Sequence, residues 1–324
     1  MVITKWAAVA VAAIGVAACA HGEAASAKAV AASGALTKGE LCVTNARTKA
    51  VVTIPAPTCR IVYGEHPKQY VELWLPERTA TAAKMPVAVY VHGGSWTSGG
   101  AVDIVIAEQV KELLRRKIAV GSVSYRLLQE AKGVKPPIKA VKEDVIAALK
   151  KLKAEAAAHG IDANRLGLVG GSAGGCMSLT VALSDGNALG VRIVAALYPQ
   201  TSIDPKEMKE WIPNQKTYGA HAFGMKWDDY LAKRDELLSD IERYSPAALA
   251  RKIDPSVAPE IVMAYGPSLF PAPGKDTVKD PVHTAQFGIN FDGICRERGI
   301  RCKLIKGPTS KAWWRLAMAL AEEE

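Results

Sequence analysis

The chain has 324 residues, of which 49% are hydrophobic and 23% charged, with a formal net charge of +9. That length and composition describe a globular chain with a sizeable core and exclude a disordered or fibrous one. The basic residues are spread over helix-like stretches (Lys139, Lys142, Lys150, Lys151, Lys153) and form no patch interleaved with aromatics, so the charge reads as a solvated surface and excludes nucleic acid as a partner.

The N-terminus reads as a targeting signal. Lys5 precedes an apolar, Ala-rich run from Trp6 to Ala20, short for a membrane span and of the right length for a secretory h-region. Residues 1–27 are therefore predicted to be a signal peptide. Two cleavage schemes stand. Val16-Ala17-Ala18-Cys19 resembles a lipobox, in which Cys19 would carry lipid; Ala25-Ser26-Ala27 is a small-x-small site for ordinary signal peptidase. The expected location is exported: periplasmic, outer-membrane lipoprotein or secreted, with membrane contact only through a lipid anchor at Cys19. Export permits disulfides. Cys42 with Cys59, and Cys295 with Cys302, are the two local candidate bridges; Cys176 reads as a small core residue.

Residues 28–40 are predicted to be a flexible leader, followed by one domain over 41–324. Short β-like runs come first, at 41–44, 51–54, 60–63 and 70–75; the last alternates and suits antiparallel pairing at a sheet edge. At 87–91 the run Val-Ala-Val-Tyr-Val is continuously apolar, as a strand covered on both faces requires. A helix carrying Ile106, Val110 and Leu113, a strand over 118–125 and a helix over 138–157 follow. An apolar strand then runs into Gly170-Gly171-Ser172-Ala173-Gly174, and 191–197 is a further buried strand. Residues 199–258 interrupt the rhythm as a polar, Trp- and Tyr-containing insertion with a helix expected over 228–244. The alternation resumes with a strand at 261–265, a helix at 284–298, a strand at 301–305 and a helix at 310–322. Strands alternating with helices imply a mostly parallel sheet with right-handed crossovers.

Two motifs carry chemistry. G-x-S-x-G between a strand and a helix is the frame of a nucleophile elbow: its small residues let strand and helix approach closely, and Ser172 stands on the tip with its hydroxyl exposed. His92-Gly93-Gly94-Ser95-Trp96 ends the earlier strand, about eighty residues upstream. Acyl transfer passes through a tetrahedral oxyanion that backbone N–H groups must meet, and glycines let the backbone come close. In an α/β-hydrolase such a loop lies beside the elbow and shares the oxyanion with the residue after the nucleophile, here Ala173. His92 is expected to orient that backbone. His66, His159 and His221 stand in no motif. No metal-ligand cluster, phosphate loop or dinucleotide fingerprint is present, so no cofactor is expected.

VYVHGGSW, SVSYRL, the helix carrying Asp144, and GIDANRLGLVGGSAGG resemble the hormone-sensitive-lipase and bacterial feruloyl-esterase-like branch of α/β-hydrolases. The resemblance runs from about Val71 to Ile305. It implies a serine carboxylesterase acting on a small-molecule ester, with Ser172 as nucleophile and Gly93, Gly94 and Ala173 as the oxyanion hole. The family's D-P-V frame matches Asp280-Pro281-Val282, making Asp280 the triad acid; Asp276 is the competing register. The family's histidine belongs in the loop after the 301–305 strand, where this chain reads Lys306-Gly307-Pro308-Thr309-Ser310. Without a general base a serine hydroxyl is a poor nucleophile at neutral pH. His283, three residues past Asp280, and Lys311 are the candidate substitutes. Two functions therefore remain open: hydrolysis of small acyl or aryl esters, including esters on polysaccharides, or ligand or partner binding in the same pocket by a catalytically impaired relative. The sequence carries no signal for oligomeric state.

Overall fold

A computed structural model describes residues 39–44, 49, 51–77, 83–272 and 277–321. The signal segment with Cys19, nearly all of the leader, and Asp276 lie outside them. In chain order the elements are β1 (Glu40–Thr44), β2 (Val51–Pro55), β3 (Cys59–Val62), β4 (Tyr70–Trp74), β5 (Met85–Val91), α1 (Ile104–Arg115), β6 (Ala119–Ser124), α2 (Ile138–Glu155), β7 (Ile161–Gly171), α3 (Ala173–Leu189) and β8 (Val191–Leu197). Then come α4 (Pro205–Trp211), α5 (Trp227–Ala232), α6 (Leu238–Tyr244), α7 (Pro246–Lys252), β9 (Glu260–Tyr265), α8 (Gln286–Arg298), β10 (Cys302–Lys306) and α9 (Ser310–Ala321).

The central strand β5 is apolar and buried throughout because it is covered on both faces, and its neighbours in the sheet are buried over most of their length. An eight-stranded sheet runs β10-β9-β8-β7-β5-β6-β4-β3; β4 pairs antiparallel with both its neighbours and every other pairing is parallel. On one face α1 and α9 pack through Ile106, Val110, Trp313 and Leu316, joined by Val43 and Ile54 of the separate β1–β2 hairpin. On the other, α2, α3 and α8 pack through Val141, Leu149, Leu179 and Phe291. Each fully buried aliphatic side chain there contributes about 1.5–3 kcal/mol relative to exposure. This is the mostly parallel sheet expected from the alternation, in the α/β-hydrolase arrangement expected from the two glycine motifs.

The connectivity places the site. From β5 the chain crosses to β6 on one side, then returns past β5 to β7 and continues outward to β8, β9 and β10. The direction of winding reverses between β5 and β7, and a crevice opens at the carboxyl ends of such a pair. Val91 is in register with Gly170, so the glycine loop after β5 and the elbow after β7 emerge side by side.

The insertion between β8 and β9 is helical, but the helix expected over 228–244 is two, α5 and α6. The chain turns between them, and Arg234 reaches back to form a bidentate pair with Asp204, the N-cap of α4. The described cysteines are all free. Cys42 faces Thr53 across the β1–β2 hairpin, which ends at Pro55, whereas Cys59 opens β3 in the other sheet; the two do not bridge. Cys302 instead has the free Cys295 of α8 as its neighbour, which together with burial pushes its thiol pKa up. Burial pushes the Cys176 thiol up to about 12, as suits an inert core residue. Among the described residues no helix is long and apolar enough to cross a membrane.

Candidate active site

Ser172 has φ +53° and ψ −124°, a backbone conformation rarely adopted by a residue with a side chain. Packing enforces it. A methyl group at Gly170 would overlap the Gly174 carbonyl, and one at Gly174 would overlap the Val91 and His92 carbonyls. Strand and helix therefore close to a distance only glycine permits, with the serine at the apex. Its N–H donates to the Leu197 carbonyl of β8 (2.9 Å) and its carbonyl accepts from Cys176 (2.9 Å). The N–H of Ala173, in the first turn of α3, has no partner within the helix and lies at the positive end of the helix dipole.

The loop after β5 is pinned from several sides. Gly94, Ser95 and Trp96 run at φ +100°, +52° and +59°, and two of the three are not glycine. Gly94 presents its carbonyl to the N–H groups of Thr97 (2.9 Å) and Ser98 (3.0 Å), and Trp96 presents its own to Leu128 (2.9 Å). The Trp96 indole N–H donates to the Ala173 carbonyl at 3.0 Å, tying the loop to the elbow helix. A carbonyl only accepts, so His221 donates from Nε2 to Ser95 (3.1 Å); its ring packs against Trp96 and Tyr218. His92 does orient backbone. Its ring stacks on Tyr125 at 4.0 Å, its Nδ1–H donates to the Gly93 carbonyl (2.8 Å), and Tyr125 donates to the His92 carbonyl (2.7 Å). Burial pushes the His92 pKa down to about 4, so it stays neutral and outside any proton transfer. Gly93 lies against Gly171, close enough that a methyl group would stand 2.7 Å from its carbonyl oxygen. The loop and the elbow thus form the two halves of one backbone cradle.

The position after β10, where the resemblance places a histidine, carries none. The turn after β10 contains Gly307, Pro308 and Thr309 and is tied to β9 by Gly307 N–H donating to Tyr265 (2.9 Å). Lys311 lies exposed on α9, its ammonium folded 3.6 Å from where a Gly307 methyl would be. The Ser172 hydroxyl instead meets His283, with Oγ 3.0 Å from Nε2. The other ring nitrogen, Nδ1, lies 3.0 Å from Asp280 Oδ2. A carboxylate accepts, so the proton sits on Nδ1 and Nε2 is free to accept from the serine.

Both partners come from the loop between β9 and α8, three residues apart. A tight turn explains how. Asp280 Oδ1 accepts the backbone N–H groups of Val282 and His283, both at 3.1 Å. This aspartate-led turn, with Pro281 presetting φ at its second position, folds residue 283 back over residue 280. One carboxylate oxygen makes the turn and the other holds the imidazole. Burial raises the Asp280 pKa, but the hydrogen bond and charge of His283 and the two N–H groups outweigh it, leaving the pKa below the ordinary value. The ring of Tyr198, itself at φ +40°, packs edge-on to His283 at 5.7 Å. Sequence reading passes over Tyr198 and His221, which carry no motif.

Fold, elbow and cradle together are those of the α/β-hydrolase fold. Within it, residues 71–210 match the BD-FAE family model. Carboxylesterase NlhH of Mycobacterium tuberculosis (strain CDC 1551 / Oshkosh) is 35% identical over 122 residues, 37% of this chain and 36% of that one, so the chain spans about a third of the length of the curated relatives it matches. Among solved structures, a truncated carbohydrate esterase from gut microbiota aligns with a TM-score of 0.61 at 16% identity, covering 82% of this chain and 98% of that one. The thermophilic esterase Est2 of Thermogutta terrifontis aligns at 0.55 and 18% identity, covering 76% and 80%. At these identities the structural likeness is one of fold. Among the described residues no group of three His, Cys, Asp or Glu side chains could hold a metal ion.

Proposed function

We propose that this protein is a serine carboxylic-ester hydrolase acting on small acyl or aryl esters, including esters carried on polysaccharides. The observation that carries the reading is the continuous chain from Ser172 Oγ through His283 to Asp280, each link 3.0 Å, beside an elbow and a glycine loop. As Ser172 attacks the ester carbonyl, its proton passes to His283 Nε2. The resulting oxyanion meets the N–H groups of Gly93, Gly94 and Ala173. His283 then returns the proton to the departing alkoxide, leaving an acyl-serine. Water repeats the sequence, with its proton passing to His283, and releases the carboxylic acid. Asp280 keeps the Nδ1 proton in place and stabilises the imidazolium. The name of the matching relative, a carboxylesterase, supports the same chemistry. A binding-only role rested on the want of a base, and His283 at hydrogen-bond distance removes its ground.

The expected result is turnover of short-chain p-nitrophenyl esters and covalent labelling by a fluorophosphonate, both lost in Ser172→Ala. A wild-type protein that neither turns over nor labels would sink the proposal.

We further propose export through residues 1–27, supported by the apolar run after Lys5. Mass spectrometry of the mature N-terminus separates the two schemes: an acylated Cys19 marks a lipoprotein and Lys28 marks ordinary cleavage. An intact Met1 would rule out both.

A further inference from the structure

The loop carrying Asp280 and His283 belongs to neither strand nor helix, and three side-chain amides from the insertion hold it. The Asn214 amide N–H donates to the Val278 carbonyl at 2.9 Å, and its carbonyl oxygen faces the Val278 N–H at 3.4 Å. Gln215 donates from Nε2 to the Pro281 carbonyl at 2.8 Å. Gln200 donates from Nε2 to the Val282 carbonyl at 2.6 Å. The carbonyls of residues 278, 281 and 282 therefore each meet an amide donor, from just before the acid to just before the base. Gln200 and Gln215 are both fully buried.

The far ends of these amides show how the grip is anchored. Gln215 Oε1 faces the backbone N–H groups of Lys216, Thr217 and Tyr218 at 3.0, 3.2 and 3.4 Å, fixing the side chain to its own turn. Gln200 has no such second anchor: its Oε1 is buried without a partner among the described residues. A buried amide with an unpaired oxygen offsets the gain from its own hydrogen bond, so Gln200 adds little to folding. A well-shaped apolar side chain would serve stability as well. What the amide supplies that an apolar side chain cannot is a fixed direction for the Val282 carbonyl, and hence for the peptide leading into His283.

We propose that Gln200, Asn214 and Gln215 are positioning residues for the general base, and that the insertion serves to hold the loop from which this chain takes both acid and base. The inference rests on the esterase reading. Where the histidine stands on a short turn after a strand, the strand end fixes it. Here fourteen residues separate the end of β9 at Tyr265 from Asp280, and a loop of that length needs its own supports. Misplacing a catalytic group by about 1 Å costs on the order of 10²-fold in rate.

The test compares Gln200→Met and Asn214→Ala, singly and together, with the wild type for kcat, KM, thermal stability and fluorophosphonate labelling. The expected result for each single variant is a kcat about 10- to 100-fold lower, with KM within about threefold, and for Gln200→Met a melting temperature close to wild type. A His283→Ala background provides the control. If the amides act through the base, Gln200→Met slows labelling of the full-length protein but causes no further slowing once His283 is gone. A wild-type kcat in both single variants, or an equal slowing in the His283→Ala background, would overturn the proposal while leaving the esterase reading intact. A wild-type protein inert to esters and probe would overturn both.

Discussion

Replacing His283 by alanine is expected to lower the turnover of a short p-nitrophenyl ester by about four to six orders of magnitude, leaving a small residual rate above the uncatalysed one. Ser172 Oγ has an imidazole nitrogen 3.0 Å away, and that nitrogen is free to accept because the other one is bonded to Asp280. Removing the ring leaves the serine proton with no acceptor while the oxyanion cradle stays built, since Trp96, His221 and His92 hold it independently of residue 283. The residue of activity should therefore come from the cradle and substrate binding. Lys311→Ala is the matching control, because its side chain lies exposed over Gly307, and its rate should equal wild type. Steady-state kinetics on the two variants decides the matter. More than a tenth of wild-type turnover in His283→Ala, or a collapse in Lys311→Ala, would remove His283 from the role of base.

The placement of His283 also explains what is and is not legible in the sequence. The strand runs were legible because burial on both faces makes them continuously apolar, as at Val87–Val91. The elbow and the glycine loop were legible because each is a contiguous motif whose backbone demands glycine at fixed offsets. His283 was harder. Judged by the position expected of the family the base is absent, yet Asp280-Pro281-Val282-His283 is itself a turn signature that puts residue 283 over residue 280. The amides and His221 were not legible at all. Gln200 reaches Val282 across 82 residues and His221 reaches Ser95 across 126, with no local pattern at either end. Such partners exist only once the segment after β8 has folded against the β9–α8 loop and the glycine loop after β5. The single expected helix over 228–244 failed for a related reason: local periodicity does not register the pull of Asp204 on Arg234.

Asp280→Asn is expected to reduce turnover by about 10⁴-fold with little loss of fold. The substitution separates the two tasks of the carboxylate. The asparagine carbonyl oxygen can still accept the N–H groups of Val282 and His283, so the turn survives. Its amide nitrogen, however, faces His283 Nδ1 as a donor. The imidazole responds by moving its proton to Nε2, where it points at Ser172 and cannot take the serine proton. Geometry is preserved and the tautomer is wrong, so kcat falls while substrate binding should not. The same change has a pH signature. The Asp280 pKa lies below its ordinary value, so its stabilising contribution is present above that ordinary value and lost as pH falls through the lowered one. The acid limb of the wild-type melting curve should include that loss, and Asp280→Asn, which cannot titrate, should flatten it. Asp276→Asn should behave as wild type in both measurements. A variant at 280 with undiminished kcat, or a 10⁴-fold loss at 276 instead, would place the acid elsewhere.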